Sequence, residues 1–163
     1  MTDLDDTDVL GAYQKLVERR YGAGETYSVA LVIMWAERHI SDRIEAVLRK
    51  FKLNMPQWST LTILHLSSAD SISLGKIARA LDVHGTTVTN AVDQLVARGL
   101  IKRTPDPNDR RTVCASITAA GKKRADEVMQ ALADERFGLP EVASKDLRAL
   151  VGVIQRIFPM RLP

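Results

Sequence analysis

Apolar positions recur at helical spacing along most of the chain and alternate with a period of two only around residues 112–117. Val9, Leu10, Tyr13, Leu16, Val17 and Tyr21 predict a short amphipathic helix over 9–21, broken by Gly22 and Gly24. A longer pattern follows over 26–51, with Ile33, Ile40, Ile44, Val47 and Phe51 on one stripe. At 1.5 Å per residue this is a rod of about 37 Å, more than one small core needs, so part of it is expected to meet another subunit or another long helix. Pro56 suits a first helical turn, and Trp58, Leu61, Ile63, Leu64 and Leu66 carry that helix to about residue 67.

Beyond a polar loop at 67–71, Ser73 can cap a short helix with Leu74, Ile77, Ala78 and Leu81 inward. A tight turn at 82–85 leads to a further helix opened by Thr86 or Thr87. Its inner face is Val88, Ala91, Val92, Leu95 and Val96, and Gly99 stands where a left-handed C-terminal cap belongs. Residues 100–104 predict a strand, and Pro105, Asp106, Pro107, Asn108 and Asp109 a turn. Val113, Ala115 and Ile117 alternate with Thr112, Cys114 and Ser116 as a half-buried strand, which completes a hairpin. Thr118 can cap a helix reaching about Phe137, which Gly138 and Pro140 interrupt. A last helix aligns Leu147, Leu150, Val151, Ile154, Ile157 and Phe158.

The 163 residues fit one domain, and 45% apolar with 26% charged residues is an ordinary globular balance. One cysteine excludes an internal disulfide. No run approaches the ~18 apolar residues of a membrane span, and the acidic opening (Asp3, Asp5, Asp6, Asp8) is unlike a basic secretory leader, so a cytoplasmic protein with no membrane partner is expected. Residues 1–8 are expected to be a disordered acidic tail. The net charge of +3 hides an uneven distribution, −4 in residues 1–8 against +6 in residues 72–124. A local basic surplus suits an anionic partner such as nucleic acid, and equally a solvated surface.

The order helix, turn, helix, strand, basic turn, strand over 73–118 is that of a winged helix-turn-helix. The expected fold is therefore mainly α with a small β-hairpin wing, joined to a helical dimerisation region. Such a unit can place its second helix in the ~12 Å major groove of double-stranded DNA. Thr86, Thr87, Thr89, Asn90 and Gln94 are short donors and acceptors on the predicted outer face, and Asn90 or Gln94 can pair with adenine. Caps and exposed polar positions explain the threonines equally well, Thr86 above all. Arg110 and Arg111, on a narrow loop beside Asp109, can reach phosphates or a minor groove, with the carboxylate orienting a guanidinium. Ser73, Lys76, Arg79, Lys102 and Arg103 are candidate phosphate contacts that set register without reading sequence. Residues 59–136 contain no Phe, Tyr or Trp, so stacking on unpaired bases is not expected.

Asp109-Arg110-Arg111, five further residues and Ile117-Thr118, preceded by Gly99-Leu100-Ile101-Lys102-Arg103 and by 105–109, resemble the wing signature of the multiple-antibiotic-resistance regulator (MarR) family, with Ile in place of Leu. The resemblance covers roughly 26–158. It implies a homodimeric transcription factor, typically a repressor on a pseudo-palindromic operator, with the recognition helix at about 86–98, Arg111 as the minor-groove arginine and Asp109 steadying the wing. It also implies a division into N-terminal dimerisation helices (9–52), a DNA-binding lobe (53–118) and C-terminal dimerisation helices (119–163). Asn90 stands where many members carry arginine, so base preference does not transfer. Ser59 and Ala91 replace the acidic residue and the arginine of the urate-responsive branch.

Family resemblance also implies a small aromatic or anionic effector. Trp35, Arg38, His39, Trp58 and His65 are candidate pocket residues, with core or interface packing as the plainer reading. Cys114 is expected to be a small strand residue rather than a redox switch, and the three histidines lack metal-ligand spacing, so neither metal nor cofactor is expected. No catalytic motif is present, which disfavours an enzyme. The alternative is a winged-helix module used for protein contacts without specific DNA binding.

Overall fold

The computed structural model describes residues 9–106, 109 and 112–158 and divides the chain into two compact units, residues 1–43 and 44–163. The expected acidic tail, and Pro107, Asn108, Arg110 and Arg111 of the predicted turn, lie outside the described residues.

In the first unit, α1 (Val9–Tyr21) ends at Gly22. The backbone N–H of Gly24, which opens α2 (Gly24–Lys50), donates to the Glu18 carboxylate at 2.7 Å. Leu16 and Tyr21 of α1 and Met34 and Trp35 of α2 remain exposed.

The second unit takes up the chain within α2. Its core gathers Val47, Leu48, Leu53, Trp58, Leu61, Leu64, Ile77, Val88, Val92, Leu95 and Ile101 with Ala125, Val128 and Leu132. Helix α3 (Met55–Leu66) starts with a capping box: the Asn54 side chain accepts from the Gln57 N–H, and the Gln57 side chain accepts from the Asn54 N–H, both at 3.0 Å. Asn54→Ala is expected to cost about 1 kcal/mol of stability, measured by denaturant unfolding. The guanidinium of Arg98 donates to the carbonyls of Lys52 (2.7 Å) and Phe51 (3.1 Å), the two residues nearest the end of α2.

A two-residue strand β1 (Ile72–Ser73), too short to leave a periodic signal, precedes α4 (Leu74–Leu81), which Ser73 caps as expected. Helix α5 (Gly85–Ala97) follows a left-handed Asp82, and Gly99, at φ +69°, takes the conformation expected of it after the helix. Strands β2 (Ile101–Pro105) and β3 (Val113–Ile117) form the predicted hairpin, and β1 adds to the other edge of β3, giving the antiparallel order β1-β3-β2.

That third strand corrects the simple alternation expected of β3. Cys114 and Ala115 are both buried while Val113 is exposed, because Ser73 and Ile72 pair with Cys114 and Ala115. Thr118 caps α6 (Ala119–Asp134), accepting from the Gly121 N–H at 3.0 Å. A 3-10 turn at Arg136–Gly138 leads to α7 (Ser144–Ile157), on which Leu150, Val151, Ile157 and the following Phe158 are exposed. This is the expected architecture, mostly helical with a small sheet.

Candidate nucleic-acid interface

Helix α5 is anchored by Val88, Ala91, Val92 and Leu95, all buried. At 100° per residue the opposite face carries Thr86, Asn90, Asp93 and Ala97, and these four are exposed. Thr86 and Asn90 therefore stand on the outer face. The other predicted members of that face are placed differently. Thr87 is half-buried and lines a cavity against α3. The Thr89 hydroxyl donates to the Gly85 carbonyl at 3.0 Å, a bond within its own helix. Gln94 is exposed at the edge of that face, and its side-chain oxygen accepts from the buried Gln57 amide of α3, joining the two helices.

The helix cap is also reassigned. His84 precedes the first turn, and its Nδ1 faces both the Thr86 N–H (3.4 Å) and the Thr86 hydroxyl (2.9 Å). Neither Thr86 nor Thr87 opens the helix, which leaves Thr86 as a first-turn residue on the exposed face.

Basic side chains near α5 fall into two groups. Lys76, Arg79 and Lys102 are exposed and make no ion pair among the described residues. Arg103 is engaged instead, its Nη2 2.9 Å from the Asp93 carboxylate, so the expected phosphate contact joins β2 to the outer face of α5. Asp93 is the functional candidate that sequence reading missed. The available signal was that it is the single charged residue within α5.

At the hairpin tip, the Thr112 hydroxyl donates to the Asp109 carboxylate at 2.9 Å and the Thr112 N–H to the Asp109 carbonyl at 2.8 Å. Asp109 is thus tied to Thr112 by two hydrogen bonds. Where the strands run into the turn, the buried Cys114 thiol donates to the Asp106 carboxylate at 3.6 Å. Burial, and then that carboxylate, push its pKa up, so the nucleophilic thiolate is disfavoured.

The five candidate pocket residues are split between the two units. Trp35 is exposed and stacks on His39 at 4.5 Å, with Arg38 on the same helix. Trp58 packs into the core of the second unit, and His65 Nε2 lies 2.9 Å from the Asp126 carboxylate of α6. Burial leaves Trp58 with no exposed stacking surface. The second unit has instead a cavity of about 180 Å³ under the start of α5, with apolar walls from Met55, Pro56, Leu81, Val83 and Val88. Ser59 and Thr87 supply hydroxyls, while that of Thr60, behind the lining, is fully buried without a partner. The described residues contain no cluster suited to a metal ion, and no helix long and apolar enough to cross a membrane.

Two packed helices, the second with a polar outer face, followed by a β-hairpin whose turn is held by an aspartate, define a winged helix-turn-helix domain. Residues 53–113 match the MarR family model. The chain is 30% identical over 118 residues to the transcriptional repressor IacR of Pseudomonas putida, covering 70% of each chain. It is 29% identical to the regulator PecS of Dickeya dadantii, over 72% of this chain and 74% of that one. Among solved structures, the MarR-family regulator Sco5413 of Streptomyces coelicolor superposes with a TM-score of 0.75 at 26% identity, over 82% and 92% of the two chains. A mutant of MarR from E. coli complexed with operator DNA shares the fold, with a TM-score of 0.71 at 18% identity over 88% and 99%. The chain belongs to the MarR family and is a DNA-binding transcriptional regulator; these relatives are regulators, not enzymes.

Proposed function

We propose that the protein acts as a homodimeric repressor, placing two copies of α5 in successive major grooves of a pseudo-palindromic operator, about 34 Å apart. The observation that carries this reading is the outer face of α5, where Thr86 and Asn90 are exposed on a helix whose other side is locked into the core. In this reading Asn90 reads a base edge, Lys76, Arg79 and Lys102 hold phosphates, and Arg110 and Arg111 extend the wing. Ser73 adds a hydroxyl at the start of α4. Residues 9–52 and 119–163 supply the dimerisation helices around the lobe at 53–118, a division supported by the exposed apolar side chains of α1 and α7.

Selection from a random duplex library, followed by binding measurements on the winning sequence, tests the reading. Asn90→Ala should lose about 1–3 kcal/mol on the selected duplex and little on mismatched duplexes, because a base contact discriminates and a phosphate contact does not. Equal losses on all sequences would remove Asn90 from base recognition. Arg111→Ala should weaken every duplex and make the salt slope shallower by about one contact per chain. An unchanged slope would take Arg111 off the DNA.

The cavity beneath α5 supports release by a small ligand. Its lining carries no charged side chain, which favours an uncharged aromatic over an anion, and a volume near 180 Å³ suits a single ring. The half-buried Ser59 and Thr87 side chains offer hydroxyls to such a ring. Phenol should raise the melting temperature and weaken binding to the selected duplex, and Ser59→Ala should reduce both effects. Benzoate acting more strongly than phenol would contradict the neutral-ligand reading.

A further inference from the structure

Helix α5 contains no lysine or arginine, and its one charged side chain is an aspartate. Asp93 stands on the outer face three residues beyond Asn90 and is exposed. A bare carboxylate there would face the phosphates that border a major groove and oppose every duplex alike. It is not bare, because Arg103 of β2 meets it at 2.9 Å.

Both partners are substantially exposed, at 37% for Arg103 and 55% for Asp93, so the pair contributes little to folding. Its consequence is the location of a charge. A guanidinium forks readily onto phosphate oxygens, and such a contact strengthens binding to any sequence. Successive strand residues project to opposite faces, so Lys102 and Arg103 do not form one clamp. The two behave differently: Lys102 makes no ion pair among the described residues, while Arg103 is taken up by α5.

We propose that Asp93 is a specificity-determining residue, which holds Arg103 off the phosphates so that this guanidinium joins the wing sheet to the recognition helix instead of adding a contact any duplex can satisfy. The proposal rests on the DNA-binding reading of α5. It gives the aspartate a use on a surface where its charge alone would be a liability.

The test compares the full-length wild-type chain with Asp93→Ala, Arg103→Met and the double variant. The probes are the duplex of about 30 base pairs selected from a random library and a random-sequence duplex of the same length, a span that admits two half-sites. Asp93→Ala frees Arg103, so the slope of log affinity against log salt should steepen by about 0.9 per chain on both probes. Between about 50 and 200 mM salt that is roughly a threefold greater loss per chain. At low salt the random duplex should bind more tightly and the ratio of selected to random affinity should fall.

Arg103→Met bares the Asp93 carboxylate and should weaken binding to both probes without the steeper slope of Asp93→Ala, and the double variant, which removes both charges, should return to the wild-type slope. Loss of folding alone does not produce this pattern of slopes. A double-variant slope shallower than wild type by one contact would place Arg103 on a phosphate already and overturn the proposal. An Asp93→Ala variant with unchanged slope and ratio would overturn it too, while leaving DNA binding intact. A wild-type chain that selects no duplex would overturn the DNA-binding reading together with this one.

Discussion

Gly121→Ala is expected to lower the melting temperature by roughly 6–12 °C, corresponding to about 3 kcal/mol for a chain of this size. Gly121 is buried in the first turn of α6, and a Cβ there would lie 2.0 Å from the Leu100 carbonyl oxygen and 2.8 Å from the Ile117 side chain. The oxygen cannot yield. It already accepts from the Thr118 N–H and the Thr118 hydroxyl, each at 3.0 Å, in the junction where the start of β2, the end of β3 and the start of α6 meet. Room for the methyl requires α6 to lift from the hairpin and the Thr118 cap to open. Thermal unfolding followed by circular dichroism reads the outcome. A shift under 2 °C would mean that the junction relaxes freely and that the close approach is not required.

Leu150→Asp with Val151→Asp is expected to convert the proposed dimer to a folded monomer and to weaken binding to the selected operator duplex by about 10²–10⁴-fold, the advantage of holding two readers on one site. The two side chains are exposed on the isolated chain, 55% and 54%, so charging them leaves the core of the lobe untouched. Within a helix–helix interface the same carboxylates would be buried without partners. The affected face continues through Ile157 and Phe158, also exposed, and contiguous apolar surface of this kind marks an interaction site. Sedimentation equilibrium distinguishes the cases: a wild-type dimer and a variant monomer are expected. A monomeric wild type, or a variant that stays dimeric with full affinity, would contradict the assignment of α7 to the interface.

Much of the lobe was legible because it follows from local rules. The inner face of α5 could be recognised from the spacing of Val88, Ala91, Val92 and Leu95, and Gly99 and Thr118 occupy the junctions where their conformations and hydrogen bonds suit them. What escaped depends on partners distant in sequence. Gln94 looked free because Gln57, which engages it, lies 37 residues away. Arg103 looked like a phosphate clamp because nothing local announces that Asp93 faces it across two elements. Cys114 was placed on the wrong side of a simple alternation because the strand covering it has only two residues. His84 was overlooked as a cap since serine, threonine, aspartate and asparagine dominate that position.

The candidate pocket shows the same limit more sharply. Aromatic and histidine residues on apolar helices were grouped by chemistry alone, whereas Trp58 fills the core and His65 pairs with Asp126. The cavity that does exist is lined by residues with no distinctive chemistry in sequence, among them Met55, Pro56 and Val83. Its position under the first turns of α5, rather than its composition, is what connects it to DNA reading.

The central claim is that the second helix of the lobe and its hairpin bind duplex DNA through a defined set of cations. The most direct measurement is the affinity of the full chain for the selected duplex over a range of salt concentrations. With Lys76, Arg79, Lys102, Arg110 and Arg111 on each of two chains, log affinity should fall linearly with log salt, with a slope between about −4 and −9 depending on how many reach phosphates. A flat response, or no duplex binding at low salt, would contradict the account.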